Sequence, residues 1–449
     1  MIKGAITRIQ ASQVVIGLII IGISVVGLYL RLQMVKKTEV HQPIRADAAK
    51  YYCCAHNLKQ YGVYSTLSPD KLKGKEPTPD AHLTPGYPLF LLPFVEFPPT
   101  YEMVDHILVT QAIISTLTIL AALGFFRAFL TWPWALGAAF MVAISPHLVA
   151  VNTYLLTESL FTFFLVLFAW AMTRLVQQRN KLVALVAGLI LGCALLVRPT
   201  LLYFLVFLIP ALFLSFPRKD AMKFALFLLI GFSMSYGPWV IRNWVVNPTP
   251  STLALNSIHK GIYPNLMYDD DPKTYGFPNK FDPKWRKQKN MSSLLKELLH
   301  RFEDEPLRYI YWYSIGKPIM FFSWDIIVGI GDVFIYPVFT SPYHNHVRLF
   351  DWTHRAMKAS HGPVVVLALL TSILVWLPTA KSMLSDNGLI VARLASLIIL
   401  YFIVVHIVGT PLPRYAIPLR AFIYGMAMLG LQISIDKAYR HIKRPKLTT

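Results

Sequence analysis

Charge is what this chain has least of. Only 15% of its 449 residues are Asp, Glu, Lys or Arg, while 55% are hydrophobic; a soluble protein carries about a quarter charged residues. That shortage excludes an ordinary water-soluble fold. Cysteine is scarce as well. Three residues, Cys53, Cys54 and Cys193, are too few for a disulfide framework, and the adjacent pair bridges poorly. Metal-ligand spacing is missing. No Gly-rich phosphate loop follows a strand and no βαβ pattern occurs, which leaves nucleotide-sugar binding by a Rossmann-type fold unsupported. Internal repeats, low-complexity tracts and a separate soluble domain are also lacking.

What is present is a succession of charge-free runs: 9–30, 107–126, 128–157, 159–173, 182–197, 199–217, 224–241, 359–380, 394–413 and 421–435. A spanning helix needs roughly 20 mostly apolar residues, and shorter runs borrow a residue that snorkels at one end. About ten spans are predicted, at approximately 12–31, 103–127, 133–151, 154–175, 181–198, 200–216, 222–246, 361–378, 388–409 and 416–435. The first run follows Lys3 and Arg8 in the manner of a signal peptide. It has no small-residue cleavage site, runs into Arg31, Lys36 and Lys37, and reads as a retained span.

The net charge of +20 raises the question of nucleic acid, but its distribution points elsewhere. Arg174, Arg179 and Lys181 form one cluster between apolar runs, Arg218, Lys219 and Lys223 a second, and the tail from Lys437 to Lys446 a third. Short basic segments of this kind mark cytoplasmic loops and attract anionic lipid. The expected topology therefore places both termini in the cytoplasm and two long loops, 32–100 and 247–360, outside. Within the second loop, Leu307–Phe339 is apolar and aromatic but broken by Lys317, Asp325 and Asp332. Tyr309, Tyr311, Trp312, Tyr313 and Trp324 match an interfacial belt, so helices lying in the interface are expected there. A hairpin of two further spans would keep the same parity.

The candidate chemistry lies in the outer segments. Residues 48–61 read as a short helix stopped by Gly62, with Asp47 at the N-cap and Lys50 and Tyr51 on the same side of its first turn. Asp is a preferred cap, worth ~1 kcal/mol; held rigidly at the membrane surface it is also a candidate general base. Arg198 and Arg414 fall in very short outer turns, where an unpartnered charge is costly, and invite an anionic ligand. Guanidinium binds phosphate oxygens bidentately. Plain snorkelling remains the bland account of both. Glu158 sits at the outer edge of the fourth span, favoured there by the helix dipole or orienting sugar hydroxyls or a cation. Tyr268-Asp269-Asp270-Asp271 reads as a solvated acidic loop, because three consecutive side chains diverge.

These residues resemble a known group. Asp47 followed by Tyr51 shortly after the first span is similar to the start of the bacterial protein O-mannosyltransferase and aminoarabinose-transferase-like membrane enzymes, GT-C glycosyltransferases that use polyprenyl-phosphate sugars. Further pieces follow in order: Thr84-Pro85-Gly86-Tyr87-Pro88-Leu89-Phe90, Asn152-Thr153-Tyr154 with Thr157-Glu158-Ser159-Leu160-Phe161, Arg198-Pro199-Thr200, Pro238-Trp239-Val240-Ile241-Arg242-Asn243-Trp244, and Arg414-Tyr415 with Pro418. The resemblance implies that Asp47 is the catalytic base. It also implies that Lys317, before a proline, contacts the carrier phosphate. One departure stands out. Relatives often place Arg or Lys just before the Pro-Gly-Tyr-Pro turn, where this chain has His82-Leu83-Thr84.

The expected fold is an all-α polytopic membrane protein. It is a GT-C-like transmembrane helix bundle of about 10 to 12 spans, with two large extracytoplasmic loops containing interfacial helices. Three regions are expected: a module over 1–246 that includes the catalytic loop 32–100, the second outer loop 247–360, and terminal helices with a basic tail over 361–449. The expected activity is inverting transfer of a sugar from a polyprenyl-phosphate donor to an acceptor hydroxyl on a lipid, glycan or protein. The site would face the periplasm or exterior from a bacterial inner membrane. Asp47 would be the base, Arg198, Arg414, Lys317 and His82 would hold the donor phosphate, and Tyr51, Tyr87, Glu158 and Tyr415 would line the sugar or acceptor. No metal ligands are assigned, and a divalent cation stays open as a cofactor. Membrane lipids are expected partners and nucleic acid is not. The main rival is a transporter or lipid flippase, and an oligomeric envelope scaffold is a third reading.

Overall fold

The computed structural model describes residues 2–72, 74–264, 290–326 and 331–442. Tyr268–Asp271 and the end of the basic tail lie outside the described residues. Helix α1 (Ile2–Lys37) leads through strand β1 (Glu39–Val40) into α2 (Ala46–Tyr61), α3 (Pro69–Leu72) and α4 (Gly86–Leu91). Then come α5 (Tyr101–Phe126), α6 (Trp132–Ile144), α7 (Pro146–Ala150), α8 (Glu158–Gln178), α9 (Lys181–Val197), α10 (Phe204–Ser215) and α11 (Arg218–Val246). The second long loop carries α12 (Leu253–Ile262), α13 (Met291–Asp304), α14 (Pro306–Tyr311), α15 (Lys317–Phe321) and strand β2 (Val338–Thr340). Helices α16 (Arg348–Leu374), α17 (Asp386–Val408) and α18 (Arg420–Ile442) complete the bundle.

Among the described residues, seven helices are long and apolar enough to cross a membrane, and the bent pair α6–α7 makes an eighth. Helices α9 and α10 are apolar but shorter. This is an integral, all-α membrane protein. Lipid-facing helices gain little from apolar burial against each other, so close approach of small residues matters more. A Cβ added at Gly188 would collide with the Leu228 carbonyl, and one at Gly231 with the Leu185 carbonyl; α9 and α11 thus touch backbone to backbone.

The third predicted span, 133–151, is broken. Helix α6 ends at Ile144, and α7 leaves it at 47°. Pro146 has no N–H, so the carbonyl of Val142 loses its helical donor. Arg31 supplies one instead. Its guanidinium, fully buried, donates to the carbonyls of Val142 (3.1 Å), Ala143 (2.9 Å) and Gly27 (3.0 Å) and to Ser115 Oγ (2.8 Å). The sequence places Arg31 at the end of the first span; α1 instead continues to Lys37, and the charge is absorbed in the core. Arg31→Leu should therefore cost about 2–4 kcal/mol, the penalty for leaving buried carbonyls unpaired, read as a lower unfolding midpoint in detergent. An unchanged midpoint would contradict this account of the break.

The two long loops are tied together. Strands β1 and β2 pair antiparallel, Glu39 opposite Thr340, and the His41 N–H donates to the Pro337 carbonyl at 2.9 Å. The Asp332 carboxylate anchors the second loop, accepting from Trp324 Nε1 at 2.6 Å and meeting His354 Nε2 of α16 at 2.7 Å. Burial opposes its ionisation, but the His354 and Trp324 bonds win and hold it down at about 2. Residues 306–321 are helical throughout, with a wider π turn at Trp312–Gly316. Leu307, Ile310, Ile315 and Ile319 are exposed along one side, the pattern of a helix lying in an interface.

Candidate active site

Helix α2 carries Asp47, and its local geometry differs from the expected cap. The N-cap residue is Arg45, with no side-chain capping bond. Asp47 is one residue inside the helix, so its carboxylate is free for other partners. Ala46, immediately before it, has φ +48°, a conformation that costs a β-carbon-bearing residue of order 1 kcal/mol or more. Gly62, at φ +67°, closes the other end as its sequence position predicts, its N–H donating to the Leu58 carbonyl.

The partner of Asp47 lies 367 positions away in the chain: Arg414 Nη2 donates to Asp47 Oδ2 at 2.8 Å. The same guanidinium reaches Glu158, with Nε 3.4 Å from Oε1, and Arg198 Nη1 approaches that oxygen at 3.3 Å. The Glu158 contacts are ion pairs of loose geometry, lacking good hydrogen-bond alignment. Glu158 is completely buried, Arg198 and Arg414 are nearly so, and the Asp47 side chain is 39% exposed. Two carboxylates and two guanidiniums thus form one chain of charges with Asp47 at its open end. Tyr415 lies under both arginines, its ring centroid 5.0 Å from Arg198 and 5.5 Å from Arg414.

Four different elements contribute these residues. Arg198 follows α9, whose end is gripped by the Pro85-Gly86 turn: a Cβ on Gly86 would lie 2.6 Å from the Leu196 and Val197 backbone. That turn starts α4 and buries Tyr87, whose hydroxyl donates to Gln111 Oε1 at 2.5 Å. Tyr51 packs edge-on against Tyr87, centroids 5.0 Å apart. Burial raises the Tyr51 hydroxyl pKa, and the Asp47 and Glu158 charges raise it further; it stays a neutral phenol. Burial would also raise the Asp47 carboxyl. The Arg414 charge and hydrogen bond, with Lys50 and Arg198, outweigh that and hold it below its ordinary value.

Sequence reasoning missed Tyr336. The β1–β2 pairing carries it to the cluster, where its ring lies 5.6 Å from the Arg45 guanidinium. Burial pushes its hydroxyl up to about 12, with the charges of Arg414, Asp47 and Glu158 all acting on it. The only sequence hint was an aromatic in a loop already rich in them.

Two of the expected phosphate ligands stand apart. His82 is lowered by burial and by Lys50, partly offset by Asp80 and Asp47, so it is uncharged near neutrality. It lines a cleft of about 420 Å³ with Thr84, Pro199, Tyr236 and Trp239. Trp239 also borders a second, more apolar cleft of about 470 Å³ with Tyr64, Leu89, Leu196 and Arg242. Asp47 lines neither cleft. Pro199, the neighbour of Arg198, and His82 link the first cleft to the charged cluster.

Lys317 is buried and turns to the loop that carries Arg414. Its Nζ donates to the carbonyls of Ile407 (2.5 Å) and Gly409 (3.1 Å) and lies 3.7 Å from the Tyr313 ring centroid. Burial pushes this amine down to about 7. An unfolded chain keeps the proton to about 10.4, so between these values the unfolded state binds more protons and stability rises with pH. Lys317→Met should flatten that rise between pH 7 and 10 in thermal unfolding. Equal slopes for the two proteins would refute the assignment.

Among the described residues, no three His, Cys, Asp or Glu side chains gather as a metal site. Arg414 lies between Asp47 and Glu158 and pairs with both, while Arg198 supplies the second positive charge at Glu158.

Residues 103–239, from α5 into α11, match the family model of dolichyl-phosphate-mannose-protein mannosyltransferases. That segment contains Glu158 and Arg198 but neither Asp47 nor Arg414. No curated protein sequence matches the chain. Two structures of an oligosaccharyltransferase from Archaeoglobus fulgidus align over most of it. One is tethered to an acceptor peptide containing the NVT sequon (TM-score 0.50, 14% identity, 96% of this chain and 51% of that one). The other is in complex with an inhibitory peptide and a dolichol-phosphate (TM-score 0.50, 14% identity, 97% and 53%). The chain spans about half the length of these structures. The likeness shows the fold alone, a transmembrane helical bundle like that of these oligosaccharyltransferase structures.

Proposed function

We propose that this protein is a membrane glycosyltransferase that moves a sugar from a polyprenyl-phosphate carrier to an acceptor hydroxyl at the outer membrane face. The observation that carries the reading is the charge chain Asp47–Arg414–Glu158–Arg198, assembled where both outer loops meet the bundle. Asp47 accepts the proton of the acceptor hydroxyl. The oxygen attacks the anomeric carbon, the carbon–oxygen bond to phosphate breaks, and the phosphate leaves with the electron pair. Arg198 and Arg414 face the growing negative charge, the electrostatic contribution that is usually largest in such reactions. A single displacement inverts the anomeric centre.

Arg414 serves both partners in turn. Before the donor binds, it holds Asp47 ionised; an arriving phosphate competes for the same guanidinium and leaves the carboxylate freer to take a proton. Glu158, buried between the arginines, keeps them oriented in both states. The matched segment 103–239 and the GT-C fold support a lipid-phosphate donor. The apolar cleft at Tyr64, Trp239 and Arg242 suits the first units of a prenyl tail.

The test is turnover of a radiolabelled polyprenyl-phosphate sugar by the purified protein in vesicles. Accumulation of polyprenyl phosphate with label on an acceptor is expected. Movement of intact donor across the bilayer without bond cleavage would instead establish the flippase reading.

A further inference from the structure

A second feature lies at the opposite end of the bundle from Asp47. Helix α10 has 12 residues, which at ~1.5 Å each make about 18 Å, well short of a ~30 Å hydrocarbon layer. Its outer end begins near Arg198, so the shortfall falls on the other side. There a narrow crevice of about 40 Å³ opens between the last turns of α8 and α10 and the first turns of α17. Its walls are apolar and include Met172, Val176, Leu208, Leu212 and Leu394.

The polar rim of the crevice is built around Arg393. Its Nε donates to the Val375 carbonyl at 2.9 Å, and its guanidinium lies 5.3 Å from the Trp376 ring centroid. Trp376 is pinned in turn, donating through Nε1 to Ser396 Oγ at 2.9 Å. Among the described residues the two Nη groups of Arg393 meet no carboxylate. Ser215 adds a hydroxyl to the same lining. Exposed Arg218, Lys219 and Lys381 flank this end of the bundle. A basic rim of this kind marks the cytoplasmic face, where anionic headgroups are attracted by about 1 kcal/mol per Lys or Arg.

We propose that this crevice binds one anionic phospholipid from the leaflet opposite the Asp47 cluster, its headgroup phosphate on Arg393 and the first methylenes of one acyl chain in the narrow crevice beside the short α10. Apolar walls alone would accept any lipid. The fixed guanidinium over Trp376 is what selects a negative headgroup. The proposal does not depend on the transfer reaction, so the assay needs no substrate.

Trp376, 39% exposed at the mouth, is a built-in reporter. Full-length protein would be reconstituted in nanodiscs containing brominated phosphatidylglycerol or, separately, brominated phosphatidylcholine at the same mole fraction. Because the chain has ten tryptophans, the share of Trp376 is read as the difference between wild type and Trp376→Phe. Quenching of that share should be about fivefold more sensitive to the anionic lipid, the ratio that one such charge gives. Arg393→Gln should bring the two lipids to parity. Ala211→Phe, which fills the crevice while keeping the charge, should lose quenching by both lipids. Equal quenching by the two lipids in wild type, or an undiminished preference in Arg393→Gln, would overturn the proposal. So would a Trp376 share that neither lipid quenches, or full quenching in Ala211→Phe should the arginine variant not fold.

Discussion

Asp47→Asn should lower transfer by about 10² to 10⁴, the usual contribution of a positioned general base, while the protein still folds and binds donor. Asparagine keeps the shape and can still accept a bond from Arg414 through its amide oxygen, so the charge chain loses one charge but little packing. Asp47 is 39% exposed, and its replacement opens no core cavity. The loss should therefore appear in kcat rather than in the apparent unfolding temperature. Full transfer by folded Asp47→Asn would end the proposed mechanism, whatever the rest of the geometry suggests.

Arg414→Gln carries the second large effect, with two separable parts. Removing one preorganised donor from the leaving-group side should reduce kcat by about 10² to 10³. The pH profile should change as well. In the wild type, burial pushes the Asp47 carboxyl up, but Arg414 more than compensates and holds it below the ordinary carboxylate value. The proposed base is therefore ionised into the acid range, and the acid limb of kcat/KM should lie low. Without Arg414 the burial penalty stays while its main counterweight goes, so the limb should move upward toward neutrality. Lys50 and Arg198 still act on Asp47 and limit the shift. Arg414→Lys separates the two parts: a point charge restores most of the limb position but not the forked recognition of phosphate. Rates in nanodiscs from pH 4 to 8 would show this. An unmoved acid limb in Arg414→Gln would mean that Asp47 is not the titrating base.

Several residues of the charged cluster were legible because they are expensive. Arg198 and Arg414 stand in short turns between apolar helices where neutral residues would serve, and Glu158 is a carboxylate at the edge of a span. A costly charge in an apolar setting advertises a partner, and all three lie in one cluster. Asp47 was legible as a helix-start carboxylate, although the expected cap bond is absent and Arg414 takes its place. Lys317 shows the limit of the same logic. Its charge is as conspicuous as that of Arg414, yet it turns to the carbonyls of Ile407 and Gly409. Side-chain direction in an interfacial segment depends on which loop folds over it. Nothing local encodes that.

The sequence by itself determined the class of molecule, the approximate spans and the helix that carries Asp47, because each follows from local quantities: hydropathy over a window, charge between windows, and a Gly after the last turn. Only the tertiary structure decided that Arg414 reaches Asp47 across 367 positions, that Arg31 closes the carbonyls freed by Pro146, and that the β1–β2 pairing brings Tyr336 to the cluster. Those contacts join segments far apart in the chain. Their energies come from pairing charges and carbonyls that no single stretch of sequence contains together.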